Sequence, residues 1–322
     1  MHIPDGFLDA KTAITTGVFS FSALGVALRH ASRHVQSRQI PLIGLTAAFI
    51  FVAQMINFPV AGGTSGHLLG ATLAAVLLGP SAAVIVMSCV LIIQALIFAD
   101  GGLLALGANV FNMAIVAPTC AYLVYRLLRR LFRDQRGQLV SASIAAWCST
   151  VLASIFCAGE LALSGTVTWN LALPAMAGIH SLIGIGEAAV SMLVLAAIGK
   201  TRPELLNEHG DRNIRLERKA VYAYGTVVIL GLLILVVPFA SKLPDGLERV
   251  ALSLGFHYKS NVPAQMFAPL KEYGFPGINS LTGASTVAGL VGGLAVFGFS
   301  FLVARILVPR HAGSSETTPH QP

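Results

Sequence analysis

Charge is scarce in this chain: Asp, Glu, Lys and Arg make up only 11% of its 322 residues, about half of what an ordinary soluble domain carries. That leaves too little polar surface to cover a water-soluble globule of this size. Cysteine is sparse too. Cys89, Cys120, Cys148 and Cys157 each sit inside an apolar run without C-x-x-C spacing, so neither a disulfide framework nor a zinc cluster is expected. They read as small buried hydrophobes. No G-x-x-x-x-G-K-[ST] phosphate loop occurs, so the chain does not hydrolyse ATP in the usual way. Nor is there an H-E-x-x-H pair, which argues against an intramembrane metallohydrolase; no enzymatic activity is expected. The start of the chain lacks the basic stretch and apolar core of a cleavable signal, and Met1 is expected to be the first residue of the mature chain.

What the chain has instead is apolar length, with 55% hydrophobic residues, a mean hydropathy of +0.76 and 32 scattered glycines. Stretches long enough to cross a membrane run over 12–28, 40–58, 82–99, 103–125, 139–161, 173–198, 220–240 and 281–304, with a shorter one over 67–79. The fold class expected is therefore an all-α polytopic membrane protein of about nine transmembrane helices. The net charge of +7 and the pI near 9.5 are explained by loops rather than by nucleic acid. Arg126, Arg129, Arg130, Arg133 and Arg136 cluster after one span, and Lys200, Arg202, Arg212, Arg215, Arg218 and Lys219 after another. The positive-inside rule then places the N-terminus outside and the C-terminus inside a cell membrane.

Composition divides the chain into a seven-helix bundle over 1–199, a cytoplasmic linker over 200–219 and a two-helix module over 220–310 with an outer loop at 241–280. The polar tail 311–322 reads as disordered. Most histidines fall in loops or the tail, where solvation is the plain reading: His30, His34, His209, His257, His311 and His320. His180 and Glu187 lie inside the span 173–198, where an ionisable side chain is a functional candidate. Seven residues apart, they sit on one face about 10 Å from each other, too far for direct contact.

His2 and His67 differ from the rest. A free terminal amine, the amide nitrogen of residue 2 and the His2 imidazole can close two adjacent chelate rings on one metal ion, and a fourth nitrogen would complete a plane. Planar nitrogen coordination suits Ni²⁺ or Cu²⁺ rather than the oxygen-seeking Mg²⁺ and Ca²⁺. His67 is the candidate fourth donor. The span it opens has only 13 residues and rises about 20 Å against about 30 Å of hydrocarbon, so the segment before it must lie below the membrane surface and line an outward cavity. Thr64 or Ser65 is expected to cap that helix, and its dipole to keep His67 neutral. Asn57, Thr64 and Ser65 are candidate lining residues, and the Pro4-Asp5-Gly6 turn folds the first residues back.

Met1-His2-Ile3-Pro4-Asp5-Gly6-Phe7-Leu8-Asp9 resembles the opening of the CbiM/NikM family, the cobalt/nickel substrate-specific subunits of energy-coupling-factor transporters. The resemblance continues through Gly63-Thr64-Ser65-Gly66-His67-Leu68-Leu69-Gly70, Gln94-Ala95-Leu96-Ile97-Phe98-Ala99-Asp100-Gly101-Gly102, Leu106-Gly107-Ala108-Asn109-Val110-Phe111-Asn112-Met113 and His180-Ser181-Leu182-Ile183-Gly184-Ile185-Gly186-Glu187. Lys242-Leu243-Pro244-Asp245-Gly246-Leu247-Glu248-Arg249 resembles the PDGLE/NikN-like small component, fused here in one chain. The resemblance implies that the Met1 amine, the His2 amide and imidazole, and the His67 imidazole hold Ni²⁺ or Co²⁺ in a square plane as transported substrate, with no permanently bound cofactor. It also implies a separate transmembrane coupling (T) component and two cytoplasmic ATPase subunits as partners. A secondary, proton-coupled metal transporter working through His180 and Glu187 is the rival reading, and the PDGLE-like module tilts the metal toward nickel.

Overall fold

The computed structural model describes residues 1–206, 218–260 and 268–308. The linker stretch 207–217 with His209, and the tail 311–322 with His311 and His320, lie outside the described residues. The protein is a helical, multi-pass membrane protein. Among the described residues, six helices are long and apolar enough to cross a bilayer: α1 (Ala10–His34), α4 (Pro80–Phe98), α5 (Leu106–Leu131), α6 (Gln135–Leu163), α7 (Trp169–Thr201) and α10 (Leu281–Leu307). Two expected spans hold shorter helices: 40–58 contains the 15-residue α2 (Ile40–Gln54), and 220–240 overlaps the 18-residue α8 (Arg218–Leu235).

The expected span 67–79 is not a helix opened by His67. β1 (Asn57–Val60) and β2 (Thr64–His67) form an antiparallel hairpin with Asn57 opposite His67, and only then comes the eight-residue helix α3 (Ala71–Leu78). Glycine placement is the cause. Gly62 and Gly63 take φ of 83° and 70° in the hairpin loop, and Gly70 takes 78° where α3 begins, a left-handed region that other residues avoid. Gly70, without a side-chain cap, precedes the helix. The expected capping by Thr64 or Ser65 is thus overturned.

The second module packs directly on the first. α10 lies along α2, and an added Cβ at Gly292 would run into the rings of Phe51 and Phe98. Gly289 faces Met55 and Gly293 faces Val52, so this small-residue face serves packing within the chain, as in many membrane helix pairs. The expected outer loop holds a helix, α9 (Gly246–Leu254), whose capping box joins Asp245 and Glu248 and which buries Leu247, Val250 and Ala251. Main-chain bonds tie it to the hairpin, from Ser65 N to Pro244 O (2.8 Å) and from Ser241 N to Asn57 O (2.8 Å). The four cysteines are free.

Because the rings of Phe51 and Phe98 leave Gly292 no space, Gly292→Ala should destabilise the protein by about 1–3 kcal/mol. Gly298, on the same helix, has nothing within 4 Å of an added Cβ. Thermal unfolding in detergent should show a lowered midpoint for the first variant and an unchanged one for Gly298→Ala; equal midpoints would contradict this packing.

Candidate metal site

The first residues form a plug held by main-chain bonding. Asp5 turns its carboxylate onto the 103–105 backbone and accepts from Leu103 N (3.1 Å), Leu104 N (2.8 Å) and Ala105 N (3.3 Å). Ile3, fully buried, donates its N–H to Asn109 Oδ1 (2.7 Å), while its carbonyl accepts from Asn109 Nδ2 (3.0 Å) and Gly102 N (2.8 Å). α4 and α5 both widen into π turns, at Gln94–Phe98 and Val110–Val116, on either side of the 99–105 loop that receives the plug. Such bulges recur at functional sites.

That anchoring buries Met1 and His2 and delivers the terminal nitrogen to His67. Met1 N stands 3.2 Å from His67 Nε2 and donates to Asp245 Oδ2 at 2.8 Å. His67 Nδ1 lies 3.1 Å from Leu68 O, a contact that assigns the proton to Nδ1 and leaves the Nε2 lone pair facing the amine. The backbone just beyond is fixed from α7, where Glu187 accepts from Leu69 N (2.5 Å) and Gly70 N (2.9 Å). Glu187 is a structural anchor for the stretch that follows His67 in this arrangement. Two nitrogens at right angles on one metal lie roughly 2.9 Å apart when metal–nitrogen bonds are 2.0–2.1 Å. The observed 3.2 Å between Met1 N and His67 Nε2 is close to that separation.

His2 stands beside them, its ring 5.4 Å from that of His67 in an edge-on arrangement. Its Nδ1 faces Asp100, 2.9 Å from Oδ1 and 3.3 Å from the carbonyl oxygen. Asp100 in turn accepts from the Tyr273 hydroxyl at 2.5 Å. Among the described residues, no three or more His, Cys, Asp or Glu side chains form a group able to hold a metal ion. The nitrogens gathered here are the two imidazoles, the terminal amine and the neighbouring main-chain amides.

Electrostatics keep one donor ready. Burial, reinforced by the neighbouring terminal ammonium, pushes the His67 imidazole down to about 3, so desolvation rather than a helix dipole keeps it neutral. For Asp245 burial acts upward, but the terminal ammonium and the Glu248 N–H more than offset it and hold the carboxyl below its usual range. Asp100 is likewise held low against burial, by His2 and Tyr273.

The remaining candidates are placed differently. Thr64 and Ser65 direct their hydroxyls to the carbonyls of Pro244 (3.1 Å) and Leu243 (2.7 Å), tying the hairpin to the second module. Asn57 is the cross-strand partner of His67. His180 bonds through Nδ1 to Met176 O (2.8 Å), and it lines one small cavity together with Met1 and His67. Asp100, Asp245, Tyr273 and Asn109 were assigned no role from the sequence. For Asp245 a local signal existed, since an Asp followed three residues later by Glu is a capping box. Nothing local tells which span Tyr273 reaches.

Comparison with known proteins follows the same outline. Residues 2–205 match the family described as CbiM, cobalt uptake substrate-specific transmembrane region, and residues 219–309 match the PDGLE domain. The chain is 36% identical to a putative fused nickel transport protein NikMN of Archaeoglobus fulgidus, across 95% of this chain and 98% of that one. It is 37% identical to the fused nickel transport protein NikMN of Rhodobacter capsulatus, across 64% of each. A cobalt transport protein CbiM 2 of Pelobacter propionicus is 35% identical over 69% of this chain and the whole of that one. Among solved structures, a truncated transition metal transporter superposes with a TM-score of 0.57 at 36% identity, covering 62% of this chain and 99% of the other. These relatives are named for transport rather than for catalysis.

A depressed imidazole has a signed consequence. The unfolded chain protonates His67 near 6.5 and the folded one only near 3, so this residue's contribution to stability is complete above pH 6.5. It is lost progressively as pH falls through that window, at up to about 1.4 kcal/mol per pH unit. In the metal-free protein, the His67 ring protons should keep their neutral chemical shift from pH 7 to 4.5 by NMR; titration near 6.5 would contradict the buried geometry.

Proposed function

The chain belongs to the CbiM family of cobalt-uptake substrate-specific transmembrane regions, with a PDGLE domain joined to it, and we propose that it captures Ni²⁺ through its own N-terminus. The ligands in this reading are the Met1 amine, the His2 amide and Nδ1, and His67 Nε2. The observation that carries it is the buried approach of Met1 N to His67 Nε2, which leaves two of the four nitrogens already paired. Ni²⁺ is favoured over Co²⁺ because the two fused relatives above are named for nickel.

Binding proceeds by exchange. The carboxylates of Asp100 and Asp245 give the site a negative field that draws a divalent cation in. The ion replaces the hydrogen bond between Met1 N and His67 Nε2. The ammonium gives up one proton and the His2 amide another, so two protons leave for each ion bound. His2 must also turn Nδ1 from Asp100 toward the ion. The ion enters from outside the cell membrane, and an energy-coupling-factor assembly, with its transmembrane coupling component and ATPase subunits, drives release on the inner side. A stand-alone proton-coupled carrier would need His180 and Glu187 as a relay. Glu187 is instead engaged with two main-chain N–H groups, which disfavours that reading.

Four measurements test the proposal. An extension before Met1, which converts the amine to an amide, should abolish high-affinity Ni²⁺ binding in calorimetric titration, and proteolytic regeneration of Met1 should restore it. His67→Ala should lose binding while keeping its thermal midpoint within a few degrees; full affinity in either variant refutes the ligand set. Affinity should also fall steeply as pH is lowered, because each ion bound displaces one proton from the Met1 ammonium and one from the His2 amide. Finally, Ni²⁺ uptake into ATP-depleted vesicles by the chain alone would favour the proton-coupled reading.

A further inference from the structure

A buried terminal ammonium must place three N–H donors. Two are accounted for, one on His67 Nε2 and one on Asp245 Oδ2. The third faces a question that His180 answers from the other side. This histidine is 2% exposed, and its Nδ1 lies 2.8 Å from the Met176 carbonyl, which assigns the proton to Nδ1 and makes Nε2 an acceptor. Among the described residues Nε2 has no hydrogen-bond partner. Buried acceptors of this kind are normally satisfied by protein or by ordered water.

His180 and the residue that carries the amine line the same cavity. Met1, His67 and His180 line one small cavity of about 20 Å³ together with Gly66, Leu69, Thr150, Ile183 and Gly246, which is room for a single water. Its small walls are required: an added Cβ at Gly246 would come within 2.9 Å of His180 Nε2, and one at Gly66 within 2.7 Å of Ile183. We propose that His180 is a positioning residue for the metal-binding terminus, accepting through one bridging water the N–H of Met1 that neither Asp245 nor His67 receives.

The count closes in both states. Without metal, three N–H donors meet Asp245, His67 and the water. With metal, the coordinated amine keeps two N–H donors, and the partner lost is His67, which becomes a ligand itself. Asp245 and the His180 water remain, so the amine does not reorient as the ion enters. This inference rests on the ligand set proposed above and adds to it a residue that touches no metal.

The test uses the full chain with its native N-terminus. His180→Leu removes the acceptor, and His180→Gln keeps one; His180→Met stands in for the leucine variant should that one not fold. Loss of an outer partner of this kind weakens metal affinity about 10–100-fold. Calorimetry should show such a loss in His180→Leu and recovery in His180→Gln. The visible absorption band of the Cu²⁺-loaded protein should keep its position in all variants, since the ligands are unchanged. Unchanged Ni²⁺ affinity in His180→Leu overturns the positioning role, and so does a shifted Cu²⁺ band, which would make His180 a ligand. Wild-type protein whose binding survives an N-terminal extension instead overturns the ligand set itself, so the two failures are distinguishable.

Discussion

The burial of a terminal ammonium between an imidazole and a carboxylate is the constraint on which the rest of this structure depends. An unpaired charge taken out of water is expensive, so Met1 stays inside only because Asp245 meets it at 2.8 Å. Asp245 is supplied by the second module, at the start of a capped helix that docks on the hairpin carrying His67. The N-terminal plug, the hairpin and the PDGLE segment therefore depend on one another. Asp5, Asn109 and Glu187 extend the same logic by satisfying main-chain donors and acceptors that no regular secondary structure would pair.

The helical membrane class was legible because scarce charge and long apolar runs leave few alternatives. The hairpin was not. Leu68, Leu69 and the residues of 71–78 continue an apolar pattern that suits a helix, and the strand preceding it is set by glycine conformations and by pairing with residues 57–60. For the proposed site, Met1, His2 and His67 can be named as candidates from the sequence because the chelate of a terminal amine with a histidine at position 2 is local chemistry. His67 was reached by a helix that does not exist, yet its neutrality follows from burial all the same. Asp245 and Tyr273 could not be placed by pattern alone, because more than 170 positions separate them from the residues they contact.

Small residues carry the joining of the two modules. The face of α10 with Gly289, Gly292 and Gly293 approaches α2 closely enough for Phe51 and Phe98 to occupy the space a side chain would need. In a bilayer, where apolar burial between helices gains little over lipid, such close contact is the principal source of association. The same joining of the modules is seen beside the hairpin, where Ser65 N bonds to Pro244 O and Asp245 meets Met1 N.

The placement of the carboxylates also bears on which ions the proposed site would accept. Mg²⁺ and Ca²⁺ take six or more oxygen ligands, and two carboxylates stand within reach of the buried nitrogens. Neither is free. Asp245 is held by the terminal ammonium and the Glu248 N–H (2.7 Å), and Asp100 by His2 and the Tyr273 hydroxyl. A hard cation would have to strip both carboxylates of their partners and leave an ammonium buried without a counter-ion. An ion that binds nitrogen removes a proton from that ammonium instead, and so resolves the charge that the fold keeps there. Under the proposed ligand set, discrimination would come from which protonation state each ion leaves behind, more than from the size of the opening.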